Sequence, residues 1–231
     1  MSSARPGGTR PRAWREATIE AAITRERLSS YMAAASGDLG LALELYDWNA
    51  RAAGAVLQTT ALVEVVARNA LDRGMAAWAA AKRRNASWFD TAPLDTQGSE
   101  VLAAARARAT RRGRDPEQRG KVVAELPFGF WRYLLARRYL TVLWLPSLAA
   151  VFPHGNPNPT LRRSQVERAM SAAVFLRNRA AHGEPVHRRD LLTDYRSMVE
   201  LCAWIDAELG TWVADISTMP GLAADRARLG I

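Results

Sequence analysis

Residues 176–185 contain the side chains of this sequence that are best suited to chemistry. The segment reads Leu-Arg-Asn-Arg-Ala-Ala-His-Gly-Glu-Pro. The planar guanidinium of Arg177 can bind a phosphate group through two parallel hydrogen bonds, and the imidazole of His182 changes its charge near neutral pH. An arginine that holds a phosphate beside a histidine that moves protons can cleave a phosphodiester bond without a metal ion.

The end of a helix must position these side chains. Five residues of an ideal α-helix turn the chain by about 500° and advance it by about 7.5 Å, so Arg177 and His182 would point about 140° apart. Gly183 and Pro185 are typical of a helix end, and we expect the last turn to unwind and bring the imidazole toward Arg177. In the structural alternative, His182 only interacts with the helix dipole, while Arg177 and Asn178 hydrate the helix end.

Other catalytic patterns are missing from the sequence. One cysteine and three histidines are too few ligands for a zinc site. Six residues separate Gly113 from Gly120 where a phosphate-binding loop has four, and Val122 stands where that loop needs Ser or Thr. Cys202 lies in an apolar run, which predicts a buried, unreactive thiol in a reducing compartment. We therefore expect no metal and no cofactor.

The charge of the chain favours a polyanionic partner. The net charge is +9, from 32 Lys and Arg against 23 Asp and Glu, and such an excess suits nucleic acid. Positive charge is concentrated between residues 106 and 121, where we expect contacts to a nucleic-acid backbone, which the resemblance described below implies is RNA, from four arginines: Arg106, Arg108, Arg111 and Arg112. Two alternatives stay open. The segment could be a solvated, mobile loop, and the preference for arginine over lysine could reflect a GC-rich coding sequence.

The hydrophobic pattern of the chain is helical. Apolar residues recur every three or four positions from Asp38 to about Lys82, from Thr160 to about His182 and from about Arg189 to Asp215, and an aromatic-rich helical block extends from Glu125 to about Leu148. No segment shows sustained alternation of apolar and polar residues, so the sequence predicts an all-α fold. Residues 1–23 are predicted to form a disordered basic arm, and residues 24–231 a single all-α domain.

Two observations predict a cytoplasmic protein without a membrane partner. The longest strongly apolar run, Leu140 to Phe152, contains Pro146 and is well short of the roughly 20 residues that a membrane-spanning helix needs. The basic residues near the N-terminus are not followed by an apolar run, so they do not form a secretory signal.

Four blocks of the sequence, in this order, resemble the abortive-infection (Abi-like) branch of the HEPN nucleases: Leu45 to Asn49, Glu64 to Leu71, Leu126 to Trp131, and Leu176 to Val186. The last block contains Arg177-Asn178-x-x-x-His182, which is similar to the family's motif of Arg and His separated by four to six residues. The resemblance spans roughly residues 24 to 215. In many Abi-like members a second histidine stands where this chain has Gly183.

The resemblance implies a fold, an activity and partners. The fold would be a HEPN-like helical bundle with long helices. The activity would be metal-independent RNA cleavage by a homodimer that brings two Arg–His pairs together, acting as a toxin or phage-defence effector, with an antitoxin as one candidate partner. One rival interpretation is a non-catalytic HEPN-like module that binds RNA or nucleotide, or that regulates. Another is a helical interaction protein whose arginine content is only compositional. Whether the chain is an enzyme therefore stays open at this point.

Physical roles follow for the residues of the motif. His182 of one or both subunits would act as base or acid when the 2′-OH of RNA attacks the adjacent phosphate. Arg177 would hold the phosphate and offset the charge that develops in the transition state, and Asn178 would orient His182 or a phosphate oxygen. Glu64 and Arg68, four residues apart, would brace the site from the first long helix; the alternative is an ordinary surface ion pair.

Overall fold

Helices are the only regular secondary structure in residues 14–82 and 87–230, which are the residues that the computed structural model describes. In chain order they are α1 (Glu16–Ile23), α2 (Arg25–Ala34), α3 (Leu39–Lys82), α4 (Trp88–Thr91), α5 (Thr96–Ala109), α6 (Arg119–Glu125), α7 (Phe128–Tyr133), α8 (Pro159–Ala181), α9 (Leu191–Ile205), α10 (Ala207–Ile216) and α11 (Met219–Leu229). The predicted all-α class is confirmed.

Helix α3 is the central element of the fold. It has 44 residues, which corresponds to a length of about 66 Å. Its start is fixed by Asp38, whose Oδ1 accepts the amide hydrogen of Leu41 at 2.9 Å. The buried stripe of α3, which includes Leu45, Val56 and Leu71, packs against α2, α8, α9 and α11. By length and hydropathy alone α3 passes the test for a membrane span, as the core helices of soluble proteins also do.

Helix α8 carries the candidate motif. Asn158 caps its first turn, since Oδ1 of Asn158 accepts the amide hydrogens of Thr160 and Leu161 at 3.0 and 3.2 Å. Pro159 occupies the first helical position. A backbone N–H at that position makes no hydrogen bond within the helix, so proline, which has no N–H, is tolerated there. The observed range agrees with the predicted range to within one residue at each end. Helix α8 packs against α3, α7 and α9.

Three sequence predictions differ from the structure. Helix α1 lies inside the arm that was expected to be disordered, so residues 16–23 are helical, while residues 1–13 lie outside the described residues. The block predicted from Glu125 to Leu148 is divided into α6, α7 and short 3-10 and π turns. The helix predicted from Arg189 to Asp215 is broken at Asp206, which has extended backbone angles and caps α10 through its carboxylate.

Candidate catalytic site

The C-terminal turn of α8 is closed by hydrogen bonds. The amide of Gly183 donates to the carbonyl oxygen of Ala180 at 3.1 Å, and the amide of Glu184 donates to that of Arg179 at 2.8 Å, which is the pattern of a Schellman cap. The amide of His182 still donates to the carbonyl oxygen four residues earlier, at 3.0 Å. The expectation that the last turn unwinds is therefore wrong, because the backbone stays close to helical as far as His182.

The three motif side chains are all exposed to solvent. Arg177 donates from Nη1 to Oδ1 of Asn178 at 3.1 Å. Asn178 lies one helical turn before His182, so these two residues are neighbours on the helix surface. Within residues 14–82 and 87–230 the ring of His182 takes part in no hydrogen bond or ion pair. The structure thus brings Arg177 and Asn178 together, and His182 lies next to Asn178 but about 140° around the helix from Arg177.

Glu64 of α3 faces Arg177 from the neighbouring helix. Glu64 is half-buried, and burial raises its pKa above the ordinary value, although the positive charges of Arg177 and Arg68 partly offset that rise. The buried Nε of Arg68 has no hydrogen-bond partner among the described residues, and Glu64 and Arg68 do not form the surface ion pair considered above. The side chains of Glu64, Arg68 and Arg177 therefore interact electrostatically on one side of the helix pair.

Arg27 of α2 reaches the same helix end, and the sequence analysis did not predict it. Its guanidinium donates a hydrogen bond to the carbonyl oxygen of Gly183. Gly183 has φ of +63°, and a Cβ atom there would lie 2.9 Å from Nη2 of Arg27. The backbone angle favours glycine at position 183, and a larger residue there would also have to push the end of the Arg27 side chain aside. Because 156 residues separate the two partners, no local pattern could have indicated the contact.

The arginines predicted to bind RNA are largely paired with carboxylates. Ion pairs join Arg106 to Asp90 and Glu117 at 2.6 Å each, Arg108 to Glu125 at 2.7 Å, and Arg111 to Asp115 at 3.4 Å. Of the four predicted residues, Arg112 alone has no ion pair within the described residues. The paired arginines connect α5 to α4, α6 and the loop between α5 and α6, so they have a structural role whatever they bind.

A stripe of α3 connects the basic segment to Arg177. Arg119 donates to the backbone oxygen of Asp72 at 2.9 Å and forms an ion pair with its carboxylate at 2.9 Å. Glu64, Arg68 and Asp72 recur every four residues, so they lie along one side of α3 over about 12 Å. The two regions that the sequence analysis selected, the motif on α8 and the segment 106–121, therefore border on the same stripe of one helix.

Comparisons of the chain with protein-family models, with curated proteins and with solved structures find no match. Among the described residues, no group of three or more His, Cys, Asp and Glu side chains could hold a metal ion. The structure defines the all-α class, an exposed group of polar residues at the end of α8, and half-buried charged residues on the neighbouring face of α3.

Proposed function

We propose that the protein is a HEPN-type endoribonuclease that acts in the cytoplasm as a toxin or phage-defence effector. The observation that carries this proposal is the exposure of Arg177, Asn178 and His182 together at the end of α8. Here the only hydrogen bond among the three side chains and the rest of the described residues joins Arg177 to Asn178, so all three are available to a substrate.

The reaction uses the nucleophile that RNA itself contains. A base takes the proton of the 2′-OH, the 2′-oxygen forms a bond to phosphorus, and the bond from phosphorus to the 5′-oxygen breaks. An acid gives a proton to that 5′-oxygen, so the products are a 2′,3′-cyclic phosphate and a 5′-OH end. In the proposal His182 supplies the base or the acid, and Arg177 binds the phosphate and stabilises its added charge.

A homodimer would supply the second proton carrier. One chain contains one histidine in the motif, whereas the reaction uses a base and an acid, and a two-fold axis would bring two copies of His182 into one cleft. Phe175 supports this arrangement because it lies on the same side of α8 as Asn178 and His182 and is 50% exposed. An exposed aromatic ring beside the motif is suited to burial between two copies.

A second candidate function is a binding module without catalysis. It is favoured by the closed cap of α8, which keeps His182 about 140° around the helix from Arg177 in a single chain. A module of this kind would bind RNA through Arg177 and leave its phosphodiester bonds intact.

The decisive experiment compares RNA cleavage by the purified full chain and its variants in excess chelator. We expect His182→Ala and Arg177→Ala each to lower cleavage by about 10²–10⁴-fold, with product ends that carry cyclic phosphate. The matched controls are His154→Ala and Arg168→Ala, which replace an exposed histidine and an exposed arginine outside the motif and should keep full activity.

Four outcomes would contradict the enzyme proposal or part of it. Undiminished cleavage by folded His182→Ala, or cleavage that disappears with chelator, would reject the mechanism. Binding of RNA with no cleavage of structured or unstructured RNA would favour the module. A monomer at micromolar concentration in analytical ultracentrifugation would reject the shared cleft.

A further inference from the structure

A cleft lined by arginines lies between α3, α11 and the chain that leads into α9. Its volume is about 350 Å³, and its lining includes Trp48 of α3, residues 187–192, and Ala223 and Arg226 of α11. Trp48 is buried and donates from Nε1 to the carbonyl oxygen of Leu222 at 2.8 Å, which joins α3 to α11 at the cleft. None of Arg177, Asn178 and His182 lines it.

The positive charge of this cleft is only partly matched. Arg189 donates to Asp194 from Nε at 3.0 Å and through a second bond from Nη2, so its charge is paired. The carboxylate of Asp190 caps α9 and accepts hydrogen bonds there. Arg188 and Arg226 have no carboxylate partner within residues 14–82 and 87–230. Two unpaired guanidinium groups therefore border on a single concave surface.

Arg226 is held partly out of water without a compensating anion. Its guanidinium carbon lies 5.3 Å from the centre of the Trp48 ring, and burial lowers the pKa of Arg226. His187, which also lines the cleft, is 1% exposed, and burial together with the charges of Arg226, Arg188 and Arg179 lowers its pKa to about 4. The cleft thus has a positive potential that a bound anion would relieve.

We propose that this cleft binds a phosphate group, with Arg188 and Arg226 as the residues that contact it. Guanidinium groups match the geometry of phosphate oxygens and form charge-assisted hydrogen bonds with them. The volume lies at the lower end of the range for small-molecule sites, which suits one phosphate with its sugar. The phosphate could belong to a free nucleotide or to an RNA strand. The inference does not depend on the proposed ribonuclease activity.

The test is titration calorimetry in a low-salt, chloride-poor buffer, with inorganic phosphate as the first probe. All measurements use a full chain that carries Arg177→Gln, so that binding at the candidate catalytic site does not contribute. We expect Arg188→Gln and Arg226→Gln each to raise the Kd for phosphate at least tenfold. The matched control is Arg228→Gln on the same helix as Arg226, because Arg228 pairs with Asp225 at 2.9 Å and does not line the cleft; its Kd should stay within twofold.

Two results would overturn the phosphate site. One is no heat of binding for phosphate to the chain with an intact cleft. The other is an equal rise in Kd for Arg188→Gln and Arg228→Gln, which would indicate general charge screening. Arg226 packs on Trp48, so Arg188→Gln, at an exposed position, keeps the test decisive even where Arg226→Gln does not fold. Tighter binding of adenosine monophosphate indicates a nucleotide, and tighter binding of a dinucleoside monophosphate indicates an RNA strand.

Discussion

Acid should destabilise the fold through the buried ring of His187. The ring packs against Tyr31 in a tilted arrangement with a centroid distance of 4.7 Å, and its Nε2 lies 3.2 Å from Oγ of Ser30. Burial, reinforced by the positive charges of three neighbouring arginines, lowers the pKa of His187 from 6.5 to about 4. The folded protein therefore keeps this histidine neutral in a pH range in which the unfolded chain protonates it.

The sign and the size of the effect follow from that difference. Between pH 6.5 and 4 the unfolded chain binds one more proton than the folded chain at this residue, so the free energy of unfolding falls as the pH falls. The slope is at most about 1.4 kcal/mol per pH unit. Over the whole range the loss amounts to about 3 kcal/mol, a large part of the 5–15 kcal/mol that stabilises a typical domain.

Urea unfolding at half-unit steps from pH 7.5 to 4.5 would measure this slope. Carboxylates also titrate in this range. The relevant quantity is therefore the difference in the free energy of unfolding between wild type and His187→Gln at each pH. We expect His187→Gln to be less stable at pH 7.5, and the gap to close as the pH falls below 6.5. The control His154→Gln, at an exposed histidine, should keep the wild-type slope. Parallel pH profiles for wild type and His187→Gln would refute the reasoning.

The structure supports three further predictions, on a buried amide, on two glycines of α3 and on the cysteine. Asn49 is buried, and its Oδ1 accepts two backbone amide hydrogens at 2.7 and 3.1 Å, so Asn49→Ala should lower the free energy of unfolding by about 2–4 kcal/mol in urea titrations. A Cβ at Gly74 would lie 2.6 Å from Val151, so Gly74→Ala should lower the melting temperature. Gly54 lies at an open position of α3, so Gly54→Ala should raise the melting temperature through the better helix propensity of alanine. Burial raises the pKa of Cys202 to about 12, so native protein should react with a thiol reagent at pH 8 far more slowly than protein in urea.

Helix limits could be predicted where capping residues are local. Asp38 marks the start of α3, and Asn158 with Pro159 marks the start of α8, because each of these residues acts on backbone groups within the next three positions. The break at Asp206 could not be predicted from periodicity, since apolar spacing continues across it. After the break α10 packs closely against α9, since a Cβ at Gly210 would lie 2.7 Å from Cβ of Ala203.

The sequence identifies which residues form the candidate site, but it does not predict how they are arranged in space. Spacing along the chain identified Arg177, Asn178 and His182, because all three lie in one short segment. Spacing marks Glu64 and Arg68 as candidates to brace the site, but neither the approach of Glu64 to Arg177 nor the bond from Arg27 to Gly183 has a sequence signal, because both depend on how separate helices pack. The carboxylate partners of the basic segment likewise come from α4, from α6 and from the loop between α5 and α6, and a count of charges cannot assign them.

The contact between Arg27 and Gly183 also limits how this sequence can evolve. A histidine at position 183, as in many proteins of the family that the chain resembles, would need a backbone angle that disfavours side chains and would displace the guanidinium of Arg27. A second imidazole at that position is therefore expected to cost stability, because L residues are disfavoured in the left-handed region. Position 183 therefore links the docking of α2 on the end of α8 to the number of imidazoles that the motif can contain.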